Sequence, residues 1–560
     1  MFNRQMISHR LGKQLALVAI LVSVAVAFAD SSIVVLALPD LLKQYDASIT
    51  ETAWVVTAYN LALAVFSLVL VRASTRANSL RLVRVGLALF LLASLGCGAA
   101  WGLWPLVVFR SLQGLGGALL LVGSLSTVRQ LDSERARGPA LWIGAGVFGT
   151  ALGPAAGGLL TDVLGWRAIF FAQAPVAALT ILGTLGLASK TRADSSEATP
   201  AANLKRRASA ANIALAFISA ALVGLLFLSV VLLIDVWRLS PLTAAIVVSV
   251  IPLTTLMAQI LVARAWSISV ASGGALFLAA GLAGMALAPS RGIAWIIVSL
   301  AVSGFGLGLV IPGLSQVALA DGNSSSGALM IGARHVGLVA GLLILTPLLA
   351  GDFTTGGERA KLQATSVVLD MPTSAKTKLQ LAFDLAPVLS RPASDGLPDF
   401  TKELESRNSG TAATLGHRLD SIVRAAITLS FRRSFLSASL LALLSMFPLL
   451  VMSPIRARWS SLRRVMLVPA AALVTFGVLT SAEVARGTLS LASKPRVFAP
   501  CAPRDGPPGG GSLSFGQRVA LTSLDALACR FHKSREQFVV DLASKRANAA
   551  WLAKLLDRSG

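Results

Sequence analysis

Runs of about twenty apolar residues, separated by short polar breaks, constrain this chain more than any other feature. A helix needs about 20 mostly apolar residues to cross a bilayer. Such runs fall at roughly 14–37, 52–71, 82–104, 105–128, 139–161, 166–188, 209–234, 241–263, 267–289, 292–318, 327–350, 434–453 and 465–485. The composition agrees: of 560 residues, 55% are hydrophobic and only 13% charged, with a mean hydropathy of +0.74. A soluble domain carries about 25% charged residues. The expected fold class is therefore all-α, a polytopic membrane protein. The first run has a second reading. Arg4, Arg10 and Lys13 ahead of Leu15 to Val26, then Ala27-Phe28-Ala29, have the form of a secretory signal cut before Asp30. The unbroken succession of later runs instead makes the first segment part of a bundle. Asp30 is then a carboxylate inside a membrane helix.

Orientation follows from lysine and arginine in short loops. Arg4, Arg10 and Lys13 precede helix 1; Arg72, Arg76 and Arg81 follow helix 2; Arg129, Arg135 and Arg137 follow helix 4. Lys190, Arg192, Lys205, Arg206 and Arg207 follow helix 6, and Arg456, Arg458, Arg463 and Arg464 follow helix 12. The alternate loops are short or acidic, as at Asp40, Asp46 and Glu51. The N-terminus is expected in the cytoplasm and the chain in the cell (inner or plasma) membrane. These loops account for much of the net charge of +23, and no zinc spacing or aromatic-interleaved basic stripe points to nucleic acid. An odd helix count places the C-terminus outside. The segment 351–433 is then an external helical insertion, with a helix-like stretch at Ala375 to Leu389. The tail 487–560 holds a Pro/Gly linker, Pro503 to Gly511, and a helical region opened by a capping box, Ser534 with Gln537. Cys501 and Cys529 in that tail pair in an oxidising exterior or stay as two thiols in a cytoplasmic one. Cys97, inside helix 3, reads as a packing residue.

An ionisable side chain inside the hydrocarbon is costly and so a functional candidate. Asp30 in helix 1 and Arg110 in helix 4 lie at similar distances from the outer ends of their helices. At about 1.5 Å per residue they share a depth. They form either a fixed ion pair or a switchable one. Desolvation favours a neutral carboxyl and a neighbouring arginine a charged one, so a carboxyl moved between such surroundings can take up and release a proton. Arginine keeps its proton and acts as the fixed partner. Arg334 in helix 11 either snorkels to the inner interface or faces the interior. Glycines mark helix 4 (Gly114, Gly116, Gly117) and helix 5 (Gly149, Gly153, Gly157, Gly158). Spacing by four puts Gly149, Gly153 and Gly157 on one face, where another helix can approach, and Pro154 is expected to bend helix 5.

Several stretches together resemble the major facilitator superfamily, specifically its multidrug:proton antiporter branch. Asp30 to Pro39 (DSSIVVLALP) resembles the first-helix aspartate motif, with Val35 where asparagine is usual. WVVTAYNLAL from Trp54 resembles the second helix, Arg110-x-x-Gln113-Gly114 the fourth-helix arginine motif, and Gly149 to Gly158 the fifth-helix antiporter motif. WRAIFFAQAP from Trp166 resembles the start of the sixth helix; RLSPLTAA (Arg238 to Ala245), GFGLGL (Gly304 to Leu309) and Arg334 with Gly337 and Gly341 match the second half more loosely. The loop VRASTRANSLR departs from the family's Gly-x-x-x-Asp-Arg-x-Gly signature: Arg76 survives, while Val71, Thr75 and Asn78 replace Gly, Asp and Gly.

The resemblance implies two six-helix halves, at 1–189 and at 209–350 completed by helix 12 at 434–453, joined by a cytoplasmic linker at 190–208. Helix 13 at 465–485 is an addition to that core. It implies proton coupling through Asp30 and Arg110, and a substrate cavity to which Gln113, Arg334, Trp54 and Tyr59 contribute. It also implies helix packing and gating through Gly114, Gly149, Gly153, Pro154, Gly157 and Gly158. The expected activity is proton-coupled export of lipophilic or amphipathic small molecules, by a monomer with no cofactor and no metal. An uptake symporter, or a non-transporting receptor or scaffold working through its external parts, are the alternatives. An enzyme is not expected: there is no nucleotide loop or nucleophile elbow, and His9, His335, His417 and His532 are scattered without metal spacing.

Overall fold

The computed structural model describes residues 2–73, 78–132, 137–187, 202–262, 267–288, 292–320, 324–369, 381, 412–452, 499–502 and 515–544. Every described element is helical, and among the described residues twelve helices are long and apolar enough to cross a membrane. The first, α1 (Phe2–Ile33), runs through a 3-10 turn, Val34–Ala37, into a further helical piece, Leu38–Tyr45. Next come α2 (Ile49–Ala73), α3 (Ser79–Gly98), α4 (Leu103–Leu131), α5 (Gly138–Leu164) and α6 (Arg167–Leu185). The second half holds α7 (Ala202–Val231) ending in a π turn, Leu232–Val236, and α8 in two pieces, Pro241–Val248 and Val250–Val262. It continues with α9 (Ile268–Ala286), α10 (Ile293–Ala318), α11 (Ser324–Leu369) and α12, also in two pieces, Ala412–Leu444 and Met446–Met452. Two further helices follow, α13 (Phe515–Arg530) and α14 (Arg535–Ser544). The expected thirteenth membrane helix at 465–485, the stretch Ala375 to Leu389 apart from Leu381, the linker Pro503 to Gly511 and Arg76 lie outside the described residues.

Helix ends depart from the sequence reading in two places. The loop expected at Asp40 is helical, because Pro39 sits at the start of the Leu38–Tyr45 piece. There its missing N–H breaks no hydrogen bond. The helix ends instead at Asp46, which adopts a left-handed conformation (φ 47°) and donates its N–H to the Leu42 carbonyl. Second, α11 continues to Leu369 rather than stopping near 350, and α12 begins at Ala412 rather than 434. The apolar pattern measures the membrane, not the helix; past Ala350 the helix goes on with polar residues, including a Glu358–Lys361 pair at 2.7 Å.

Two compact units result. One holds Met1–Ala288, Gly292–Leu349 and Arg432–Ala482; the other holds Pro289–Arg291, Ala350–Phe431 and Glu483–Gly560. In the second unit Phe353 meets Phe431 edge-on at 5.3 Å, and Cys501 is joined to Cys529 by a disulfide. Ser534 and Gln537 cap α14 reciprocally: the Gln537 N–H donates to Ser534 Oγ (3.2 Å) and the Ser534 N–H to Gln537 Oε1 (3.1 Å).

The bundle unit is held together where glycines let backbones touch. A Cβ on Gly149 would collide with the Ala25 carbonyl, and one on Gly153 would lie 2.9 Å from the Ala29 carbonyl, so α5 rides directly on α1. The second half repeats this: Gly337 meets the Ala216 carbonyl and Gly341 the Ala220 carbonyl, so α11 rides on α7. Likewise Gly114 of α4 abuts the Tyr59 carbonyl of α2, and Gly304 of α10 the Ile251 carbonyl of α8. Gly116 packs on α3 as Gly306 packs on α9. Small residues are the usual means of close helix approach in a bilayer, where no hydrophobic drive exists between helices.

Gly149→Ala therefore forces α5 off α1 and is expected to cost about 1–3 kcal/mol, the cost of overpacking a full interface. Gly144→Ala on the same helix meets nothing within 4 Å and should be neutral or slightly stabilising. Unfolding midpoints of the two purified variants in detergent test the contrast; equal midpoints would refute the close-approach reading.

Candidate functional site

Asp30 and Arg110 are fully buried and form a direct ion pair. Arg110 comes from α4, where Arg110, Gln113 and Gly114 fall on the face turned into the half, and the glycine brings α2 close enough to take part. Arg110 Nε donates to the Val55 carbonyl of α2 at 2.9 Å, and Nη1 donates both to Asp30 Oδ2 and to Gln113 Oε1, the latter at 2.6 Å. Gln113 Nε2 donates to Ser94 Oγ of α3 and to Gln173 Oε1 of α6, each at 2.8 Å. Gln173 Nε2 then donates to Asp30 Oδ1 at 2.7 Å. The four side chains close a ring in which each carboxylate oxygen accepts one hydrogen bond and each amide both donates and accepts.

Aromatic rings floor this network. The Arg110 guanidinium carbon lies 4.3 Å from the Tyr59 ring centroid and 5.7 Å from that of Phe170. Stacking on an aromatic face is favourable for a desolvated cation. Tyr59 is held by donating its hydroxyl to the Ala27 carbonyl at 2.8 Å, one turn before Asp30. Ser31 Oγ donates to Asn60 Oδ1 at 3.0 Å, a second bond between α1 and α2. Cys97 packs with its sulfur 3.7 Å from Gln113 Oε1.

Sequence reasoning pairs Asp30 with Arg110 and assigns Gln113, Tyr59 and Trp54 to a substrate cavity; the structure places Gln113 and Tyr59 in this network, while Trp54 is 39% exposed and outside it. Gln113 closes the ring rather than facing a cavity. Gln173 was missed; its signal is a lone amide in the apolar run of helix 6. Also missed was Asp235 in the π turn after α7, whose Oδ2 is buried without a hydrogen-bond partner.

Arg334 lies apart from the ring. Its Nη2 donates to Thr150 Oγ1 of α5 at 3.1 Å, and its guanidinium sits 4.9 Å from the Phe28 ring. It lines a cavity of about 40 Å³ between the halves, which Pro154 also lines. The halves touch at both ends of the bundle: Gly158 against Pro241 and Ala245 at one end, Gly332 against Leu68 and Gly327 against Leu125 at the other. Forty cubic ångströms admits a few waters, well short of the roughly 300 Å³ a drug-sized ligand needs. A wider groove of about 680 Å³ runs along α1, α5 and α6; its walls are apolar apart from Gln173.

The Major Facilitator Superfamily model matches residues 20–347. The chain belongs to the major facilitator superfamily. Among curated superfamily relatives, it is similar to the multidrug resistance protein Stp of Mycobacterium tuberculosis, 36% identical over 174 residues, 30% of this chain and 32% of that protein. It is 34% identical over 180 residues to the tetracenomycin C resistance and export protein of Streptomyces glaucescens, covering 32% and 34% of the two chains. To the puromycin resistance protein pur8 of Streptomyces alboniger it is 38% identical over 170 residues, 30% and 34% of the chains. The chain thus spans about a third of the length of the curated relatives it matches. Its fold is that of a bacterial homologue of the human lysosomal transporter Spinster. The TM-score is 0.52 at 16% identity for the unoccupied inward-facing form, covering 79% of this chain and 97% of that one. For the occupied form the TM-score is 0.54 at 15% identity.

Breaking a buried ion pair on one side leaves an uncompensated charge, at about 3–5 kcal/mol. Asp30→Leu and Arg110→Leu should each lose that much in unfolding free energy, and the double variant should lose clearly less than their sum. Simple additivity in the double-mutant cycle would show that the two groups do not depend on each other.

Proposed function

We propose that this chain is a secondary active transporter, a proton-coupled exporter of lipophilic or amphipathic small molecules working by alternating access. The observation that carries the reading is the closed ring around Asp30. Its carboxylate is the only acidic group in that ring, and its partner cannot release a proton. Protonation of Asp30 removes the charge that holds Arg110 and weakens the hydrogen bond from the Gln173 amide. The helix that carries Asp30 is the one on which α5 rides, and Ser32 Oγ donates to the Thr150 carbonyl of α5 at 3.2 Å. α5 in turn touches the second half through Gly158. A change at Asp30 therefore has a continuous packed route to the contact between the halves. Rocking of one half against the other about a central site is how such folds alternate.

Export is supported by the likeness of Gly149 to Gly158 to the antiporter motif and by relatives named for drug resistance and export. The apolar groove along α1, α5 and α6 supports substrates that enter from the lipid, with Gln173 as the polar group at its wall. The basic loops support a cytoplasmic N-terminus. The Cys501–Cys529 disulfide supports an oxidising exterior for the tail.

Purified protein in proteoliposomes, given a substrate found by screening, should move it against an imposed proton gradient. Asp30→Asn should abolish gradient-driven movement and retain substrate exchange; unchanged driven flux would overturn the coupling role. Inverted vesicles give the direction. In intact cells an impermeant thiol reagent should label Cys501 and Cys529 only after reduction, and labelling confined to inverted vesicles would place the tail in the cytoplasm.

A further inference from the structure

Arg334 differs from Arg110 in one respect that matters. It is 7% exposed, and among the described residues it has no ion-pair partner. Its contacts are a neutral hydroxyl, Thr150, and the face of Phe28. Snorkelling does not account for it, because its head reaches across to Thr150, near the middle of α5, rather than toward a helix end. The positive charge is thus held at mid-depth with no anion among the described residues to offset it, an arrangement that is costly unless a partner arrives.

The cavity it lines supplies a second group in the same condition. Gln259 Nε2 is buried with no hydrogen-bond partner among the described residues, and Gln259 lines the same space. The hydroxyl of Thr255 is already committed to the Gly304 carbonyl at 2.8 Å. What remains open is two N–H donors, one of them cationic, in a chamber otherwise walled by aliphatic side chains such as Leu222, Leu226 and Ile311. A guanidinium fork matches an oxyanion in geometry as well as in charge.

We infer that the site between the halves takes a lipophilic oxyanion, a carboxylate, sulfonate or phosphate on an apolar body, with the anionic head on Arg334 and Gln259. The inference rests on the reading that this cavity widens into the substrate site. Thr150 is then the placeholder that satisfies Arg334 while the site is closed.

The test uses two permanently charged probes with one apolar body, a pyrenylalkyl sulfonate and the matching trimethylammonium. Binding to the full chain is measured in phosphatidylcholine nanodiscs, with empty nanodiscs subtracted. The native chain should bind the sulfonate at least tenfold more tightly than the ammonium. Arg334→Gln should lose at least tenfold in sulfonate affinity and nothing for the ammonium. Thr150→Ala, which keeps the cation and removes its placeholder, should bind the sulfonate as well or better. A merely structural Arg334–Thr150 clasp would make Thr150→Ala behave like Arg334→Gln, and equal binding of both probes by the native chain would equally overturn the inference. Should Arg334→Gln fail to fold, Gln259→Glu decides: a carboxylate lining the same cavity offsets the Arg334 charge and should abolish the preference for the sulfonate, and an unchanged preference refutes the site. Adding phosphatidylglycerol separates two sources of the same chemistry. Competition with the sulfonate makes the ligand a lipid headgroup, and no competition makes it a free amphiphile. Proton-driven flux that survives Asp30→Asn would sink the coupling scheme while leaving this anion site untouched.

Discussion

A full negative charge and a full positive charge, both out of reach of solvent, stand together in the first half of the bundle. Each would be costly there alone. Their mutual demand fixes four helices at once: α1 supplies the carboxylate, α4 the guanidinium, α6 the amide that takes the second carboxylate oxygen, and α2 the carbonyl that takes Nε. Gln173 matters because a carboxylate has more lone pairs than one arginine can satisfy, and Gln113 because it accepts from Arg110 and donates to Gln173. They complete the set without adding charge. The rest of the half is arranged so that these four backbones can come close enough to share one small polar knot.

That closeness comes from what is missing. Gly114 and Gly149 carry no side chain where the neighbouring carbonyl stands, so α4 meets α2 and α5 meets α1 backbone to backbone. Close-packed interiors pass displacement on rather than absorb it. The polar knot and the glycine seams are therefore one structure: the knot sets where α1 lies, and the seam makes α5 follow. Gly158, the last of the helix 5 glycines, does not serve that seam. It faces α8 and lets the two halves meet.

How much of this is legible in the sequence differs by residue type. Charges in apolar runs announce themselves, so Asp30, Arg110 and Arg334 were visible, and equal depth pointed to the first two as partners. Spacing by four announced the Gly149, Gly153 and Gly157 face. The superfamily fold followed from motifs in the first half. Gln173 stayed hidden because a single amide barely changes the hydropathy of a span, and nothing local tells which helix it will meet. Trp54 is placed in a cavity by its position in a motif, yet its side chain is exposed and takes no part in the polar network. Helix ends were misread at Pro39 and beyond Ala350 for a shared reason. Hydropathy reports where lipid stops, whereas helix ends are set by caps and local pairs, such as the left-handed Asp46.

The two halves follow one plan of contact, helix for helix, with Ala25 answering to Ala216, Ala29 to Ala220, Gly114 to Gly304 and Gly116 to Gly306. Carried one step further, position 30 answers to Ala221 and position 110 to Leu300, both fully buried and both apolar. The likeness between the halves is thus one of surfaces and not of charges. A duplicated scaffold can inherit its shape twice and the desolvation cost of a buried ion pair once. Its two copies then stand as near twins in geometry and as strangers in electrostatics.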